Sequence, residues 1–154
     1  MQNNLLIVSL ALLTALIPAL SVHAQMPAAK EVAKELRLPY SQDRLTQDPA
    51  YNTTLGSRYL QRMVEAFDGS YLLALSSYNA GKSRTLNWMR EWGDPRRSEV
   101  DVVDWIELIP FNETRNYVQR VIEGTMVYRQ RLAPGSAVLR RLDRDFRGDV
   151  GRDG

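Results

Sequence analysis

The sequence predicts an all-α domain, and three observations carry that reading. Apolar residues recur three and four positions apart through most of residues 26–132. The breaks between these runs hold proline, glycine and short polar residues of the kinds that start and stop helices. No segment alternates apolar and polar residues as a half-buried strand or hairpin would. With 154 residues, 44% hydrophobic and 25% charged, the chain has the make-up of an ordinary globular domain.

Residues 5–20, LLIVSLALLTALIPAL, carry no charge and contain Pro18 near their end. The stretch is short for a membrane span, which needs about 20 apolar residues. Val22 and Ala24 are small or apolar and suit signal-peptidase processing before Gln25. Residues 1–24 are therefore expected to be a signal peptide of an exported, periplasmic protein. Left uncleaved, they would be an inner-membrane anchor and the chain's only link to a membrane.

The elements then follow in order. Pro27 suits a first helical position, with Val32 and Leu36 four apart behind it. Residues 37–48 break the pattern with Pro39 and polar turn formers, and Asp48-Pro49 reads as a cap followed by a first-turn proline. Leu55, Tyr59, Leu60, Met63, Val64 and Phe67 make one apolar face that Asp68-Gly69 ends. Ser70 restarts the chain into YLLALSSYNA, which is apolar on nearly every side and so belongs at the centre of the domain. Ser83 suits the cap of a helix through Trp88 and Trp92 that Gly93 stops. Residues 93–101 are a loop, and Val102 to Leu108 is a short helix closed by Pro110. Asn112 suits the cap of the last long helix, where Tyr117, Val118, Val121, Ile122 and Tyr128 recur at helical spacing. From Ala133 the chain turns rich in arginine, aspartate and glycine, so residues 133–154 are expected to be a disordered or loosely attached tail.

Composition excludes several chemistries. There is no cysteine, which removes disulfides, thiolate metal sites and cysteine nucleophiles. The single histidine, His23, lies in the segment expected to be removed, which argues against a serine triad or a histidine metal site. A net charge of +2 from 20 Lys+Arg and 18 Asp+Glu is too even to imply nucleic acid as the partner.

The chemistry-bearing candidate is SSYNAGKSR, residues 76–84. Tyr78 and Asn79 stand just before Gly81, where an apolar run ends. Chain geometry alone accounts for a glycine, and for an asparagine beside it, at a helix end. A phenol next to an amide equally offers stacking surface and paired hydrogen-bonding groups for a sugar. Trp88, Trp92 and Trp105 invite a stacking role too, but their helical settings favour core packing.

Four blocks together decide between these readings. AKEVAKELRLPYSQDRLTQDPAYNTTLGSRYL, FDGSYLLALSSYNAG, GDPR and VDWIELIPFNETRNYVQRV follow one another in an order that resembles the soluble lytic transglycosylases, bacterial enzymes that cleave peptidoglycan glycan strands. The resemblance covers roughly Met26 to Leu132. It implies a lysozyme-like (transglycosylase) domain over residues 25–132, with no metal or cofactor. It also implies a groove for alternating N-acetylglucosamine and N-acetylmuramic acid. By the same resemblance Tyr78 and Asn79 line that groove, Glu113 and Tyr117 of ETRNYV stand beside it, and Met26 matches the family's methionine. Glu113 and Tyr117 are four apart and so share a helix face.

The family's proton donor has no counterpart. In that family a glutamate of a Glu-Ser helix, upstream of the stretch matched by Met26-Pro27, protonates the glycosidic oxygen and then helps close a 1,6-anhydro ring. Here no Asp or Glu precedes Glu31. The resemblance is therefore to a domain lacking its N-terminal catalytic helix, and no catalytic residue is assigned. Glu31 and Glu35 read as a charged helix face, and Glu113, at a helix N-terminus, sits where the ionised form is favoured. Without that helix, faces of YLLALSSYNA and of the 112–132 helix are expected to be left exposed, and a protein partner could cover them. Three functions compete on this basis: a transglycosylase-type protein with impaired catalysis, a non-catalytic glycan binder, and a partner-docking remnant. Processing after Ala24 predicts a mature chain beginning at Gln25, which N-terminal sequencing of the periplasmic fraction checks; intact Met1 in a membrane pellet would replace the signal with an anchor.

Overall fold

The computed structural model describes residues 22–132 and 144–148, with side chains from residue 27 on, Leu132 apart. Seven helices form among the described residues: α1 (Val22–Glu35), α2 (Gln42–Gln47), α3 (Pro49–Ala66), α4 (Tyr71–Ala80), α5 (Lys82–Trp92), α6 (Val102–Glu107) and α7 (Asn112–Leu132). A helical turn follows at 144–147, and there is no strand among the described residues. The chain divides into two compact units, Met1–Arg62 and Met63–Gly154, with the division falling inside α3.

In the first unit, Val32 and Ala33 of α1 pack with Tyr51 and Leu55 of α3, and Leu36, Leu38, Tyr40 and Tyr59 close around them. The Tyr51 hydroxyl donates to the Pro39 carbonyl at 2.9 Å and accepts the Ser41 amide at 3.2 Å, which pins the connecting loop onto α3. Asp48 caps α3 as its sequence predicts, its carboxylate accepting the Tyr51 amide at 3.0 Å ahead of Pro49. Two details differ from expectation. Pro27 lies inside α1, because the helix begins at Val22 rather than at the proline. Residues 42–47 are helical rather than a plain turn: Ser41 accepts the Arg44 amide, and Arg44 pairs with Asp48 one turn on. Glu31 and Glu35 do lie on an exposed, charged face, paired with Arg62 and Arg58.

In the second unit α4 is the centre. Residues Leu72 to Ala80 are all buried, so only Tyr71 at its start keeps substantial exposure. A helix apolar all round must be covered all round, and here α5 and α7 pack against it while α6 packs against α7. The expectation that α4 leaves an apolar face exposed is therefore not met. On α7 the exposed apolar residues are Val127 and Tyr128, and elsewhere Leu86, Val103, Leu108 and Phe111.

The ends of α4 show what fixes it. Ser70 accepts the Leu73 amide at 3.3 Å as the cap, and its hydroxyl donates to the Phe146 carbonyl. Phe146 is itself buried. Gly148 lies so close to the 68–70 turn that a Cβ there would stand 2.5 Å from the Asp68 oxygen and the Ser70 nitrogen. Arg147 donates to the carbonyls of Pro95, Arg97 and Val100. Residues 144–148 thus do not behave as a loose tail; the rest of 133–154 lies outside the described residues, as does the 5–20 segment. No helix among the described residues is long and apolar enough to cross a membrane.

Two cap assignments also change. Helix α5 starts at Lys82 with Gly81 as its cap residue, so Ser83 is already inside. Phe111 supplies the first carbonyl of α7, which accepts the Arg115 amide at 2.9 Å, while Asn112 Oδ1 accepts from the Arg115 guanidinium at 2.7 Å. The tryptophans pack as a core. Trp88 stacks on Trp92 at 5.6 Å and meets Trp105 edge-on at 6.3 Å, and Trp105 donates to the Gly93 carbonyl. The 93–101 loop is held by Arg96, which bridges Asp94 and Asp68. Burial raises the Asp94 carboxyl, but the hydrogen bonds and charge of Arg96 outweigh it and leave the group below its usual range.

Candidate functional site

The site is built where α4 ends against the start of α7. Gly81 closes α4 with φ +94° and ψ 143° and, in the same residue, begins α5. A Cβ there would meet nothing within 4 Å among the described residues, so the demand for glycine comes from the backbone angle rather than from space. This abrupt turn leaves Tyr78 and Asn79 in the last turn of α4. The first turns of α7 supply Glu113, Thr114 and Tyr117.

Two contacts join the helices. The Tyr78 and Tyr117 rings stack with centroids 6.2 Å apart and planes 16° from parallel, an offset geometry that aromatic pairs favour. The Thr114 hydroxyl donates to Asn79 Oδ1 at 2.6 Å, a bond buried from solvent. Asn79 is 9% exposed and Tyr78 and Tyr117 7% each, so the expected groove pair belongs as much to the interior as to a surface.

What remains unsatisfied is more informative than what is paired. Asn79 Nδ2 and the Tyr117 hydroxyl are buried without a hydrogen-bond partner among the described residues. A buried polar atom left unpaired costs about 1–3 kcal/mol, and two sit in one helix–helix contact. Burial, and after it the neighbouring Tyr78, pushes the Tyr117 phenol well above its ordinary 10.0, so the group stays neutral through the physiological range. The contact therefore offers a neutral amide donor and a neutral hydroxyl, with aromatic faces beside them. That set suits an uncharged polar ligand. Because both atoms are shut off from solvent, a ligand engages them only when neighbouring side chains give way.

Of the residues expected from sequence, Tyr78, Asn79 and Tyr117 are brought together. Glu113 is exposed in the first turn of α7, next in the chain to Thr114. Met26 lies in α1, in the other unit, and its side chain is outside the described residues. Thr114 was not expected. The signal for it was its position three residues before Tyr117, on the same helix face. The arginine of the same block has a bracing role: Arg115 donates to the carbonyls of Glu107 and Ile109 and so closes the α6–α7 connection. No group of His, Cys, Asp or Glu side chains suited to a metal ion gathers among the described residues.

The orphaned Tyr117 hydroxyl gives a direct test. Tyr117→Phe is expected to keep stability or raise it by about 1 kcal/mol, since it removes a buried group that has no partner. Alkaline unfolding should shift as well. With a folded-state pKa above the unfolded value of 10.0, wild type keeps Tyr117's contribution below pH 10 and loses it as pH rises above that. The phenylalanine variant should lose less there. A clear loss of stability in Tyr117→Phe near neutral pH would mean that the hydroxyl is satisfied in the folded protein.

Comparison with known proteins matches the chain to a family. A family model described as "Transglycosylase SLT domain" matches residues 25–100. The "Soluble lytic murein transglycosylase" of Escherichia coli strain K12 is 32% identical over 102 residues, covering 66% of this chain and 15% of that protein. The Salmonella typhimurium protein of the same description is 32% identical over 92 residues, covering 60% of this chain and 14% of the relative. Among solved structures, an inactive Glu-to-Gln mutant of lytic transglycosylase Slt from Pseudomonas aeruginosa matches with TM-score 0.58 and 33% identity, covering 71% of this chain and 17% of that one. This chain thus spans about a sixth of the length of the relatives it matches.

Proposed function

The chain belongs to the transglycosylase SLT domain family through residues 25–100, and on that premise we propose that it binds peptidoglycan glycan strands in the cell envelope with catalysis impaired. The fold it shares with its structural neighbour is all-helical and lysozyme-like. One observation carries the binding half of the proposal. The Tyr78–Asn79–Thr114–Tyr117 contact holds two buried polar atoms with no partner among the described residues, beside stacked rings. An N-acetyl sugar has the complementary groups: an acetamido carbonyl for the Asn79 amide, hydroxyls for Tyr117, and apolar ring faces for aromatic contact.

The catalytic half rests on proton donation. Cleaving a glycosidic bond needs a carboxylic acid protonated near neutrality, which requires a desolvated setting. In the Pseudomonas aeruginosa Slt, a Glu-to-Gln change is recorded as inactive. In this chain no Asp or Glu precedes Glu31. Glu31 and Glu35 face solvent and are paired with arginines. Glu113 is exposed at the start of α7, outside the desolvated setting that a proton donor requires.

Incubation of the chain with purified peptidoglycan, followed by mass analysis, is expected to show no anhydromuropeptides above background. A general acid is typically worth about 10²–10⁴ in rate. A variant carrying a Glu-Ser helix ahead of Met26 is expected to gain product. Robust product from the unmodified chain that disappears in Glu113→Gln would show that Glu113 acts as the acid and would overturn the impaired-catalysis reading.

A further inference from the structure

We infer that residues 144–148 are a strap that clamps α4 and α7 together at the end opposite the Tyr78–Tyr117 contact, so that releasing the strap opens that contact. The strap governs access to the buried site whatever ligand enters, and so does not depend on the glycan reading. The two helices run antiparallel and are held at both ends. At one end Tyr78 stacks on Tyr117 and Thr114 bonds Asn79. At the other end the strap touches both. Asp145 pairs with Arg129 in the last turn of α7. Phe146, itself buried, gives its carbonyl to the Ser70 hydroxyl at the cap of α4. Burial, and after it the Asp145 charge, raises the Tyr71 phenol against the pull of Arg129, which sets this ion pair beside the first turn of α4.

Two further anchors seat the strap. Arg147 Nη1 donates to the carbonyls of Pro95, Arg97 and Val100 at 3.1, 2.6 and 3.2 Å. Arg96 of the same loop ties back to Asp68, just ahead of α4. Gly148 closes the turn through its amide bond to the Arg144 carbonyl at 2.8 Å. With φ +76°, it sits so near the 68–70 turn that a Cβ would stand 2.5 Å from main-chain atoms of Asp68 and Ser70. Main-chain atoms cannot swing aside as a flexible side chain does. Helices α4 and α7, of 10 and 21 residues, contain no proline to bend at. Packed helices shift as units. Freedom at the strap end is therefore passed along the pair to Thr114 and Tyr117.

The lack of any cysteine in the chain allows a single-thiol test. Thr114→Cys puts one thiol inside the α4–α7 contact, at a position 3% exposed. Its rate of labelling by a soluble thiol reagent, in the full chain well below the melting midpoint, reports opening of that contact. Thr85→Cys, at a fully buried position on α5, reports unfolding of the unit at large. The strap is released in two independent ways: Arg147→Met removes the three carbonyl bonds and keeps the apolar stem, and Gly148→Ala drives a Cβ into the 68–70 turn. Each is expected to speed labelling of Thr114→Cys about five- to tenfold, the effect of one hydrogen bond's net worth on an opening equilibrium. Labelling of Thr85→Cys is expected to stay within about twofold, because the opening is local rather than global. Should Thr114→Cys fail to fold, Val118→Cys, fully buried one turn further along α7, takes its place. Unchanged labelling of the α7 probe in either strap variant would overturn the inference. Equal acceleration of the α7 and α5 probes would also overturn it, reducing residues 144–148 to a contributor to overall stability.

Discussion

Everything in the second unit depends on burying α4 on all sides. Nine consecutive residues from Leu72 to Ala80 are removed from solvent, including two serines and an asparagine that an apolar environment does not welcome. Each has to be satisfied locally or left at a cost. Ser76 returns its hydroxyl to the Leu72 carbonyl, whereas the buried Ser77 hydroxyl has no partner among the described residues; just ahead of these residues Ser70 caps the helix and donates to the Phe146 carbonyl. Asn79 is served on one side only, by Thr114. The requirement that this helix be enclosed brings α7 close enough to place Tyr117 on Tyr78 and Thr114 on Asn79. The candidate site is therefore a by-product of core packing at a helix end, positioned by the same contacts that hold the unit together.

The chemistry of that site is neutral throughout. Its unpaired groups are an amide and a phenol that burial keeps protonated. The nearest acid in sequence, Glu113, stays in solvent. A neutral, aromatic-walled site recognises uncharged polar molecules and does little proton transfer by itself. Glycan recognition fits such a set.

Most of this was legible in the sequence where side-chain pattern decides structure. YLLALSSYNA could only be a central helix, and the spacing of the tryptophans matched the packed cluster that forms around Trp105. Asp48 and Ser70 announced their helices by cap chemistry. What was illegible depends on partners remote in sequence or on main-chain atoms. The 144–148 segment looks like a polar tail, yet Arg147 grips three carbonyls of the 93–101 loop and Phe146 is buried. No periodicity encodes a guanidinium binding backbone oxygens. The Thr114–Asn79 bond is hidden for a similar reason, since its partners lie 35 residues apart. The depth of Tyr78 and Asn79 was also hidden, because a polar pair at a helix end reads as surface until the helix packed against it is known.

The central claim is that the α4–α7 contact is where this chain meets a glycan. The most direct measurement is a two-dimensional NMR titration of the isotopically labelled chain with a soluble peptidoglycan oligosaccharide, following backbone and side-chain amides. The account predicts saturable shifts concentrated on Tyr78, Asn79, Thr114 and Tyr117, with the Asn79 side-chain amide protons among the most perturbed. Saturable shifts confined elsewhere, for instance around Trp88 and Phe111, or no saturable shifts at all, would contradict it.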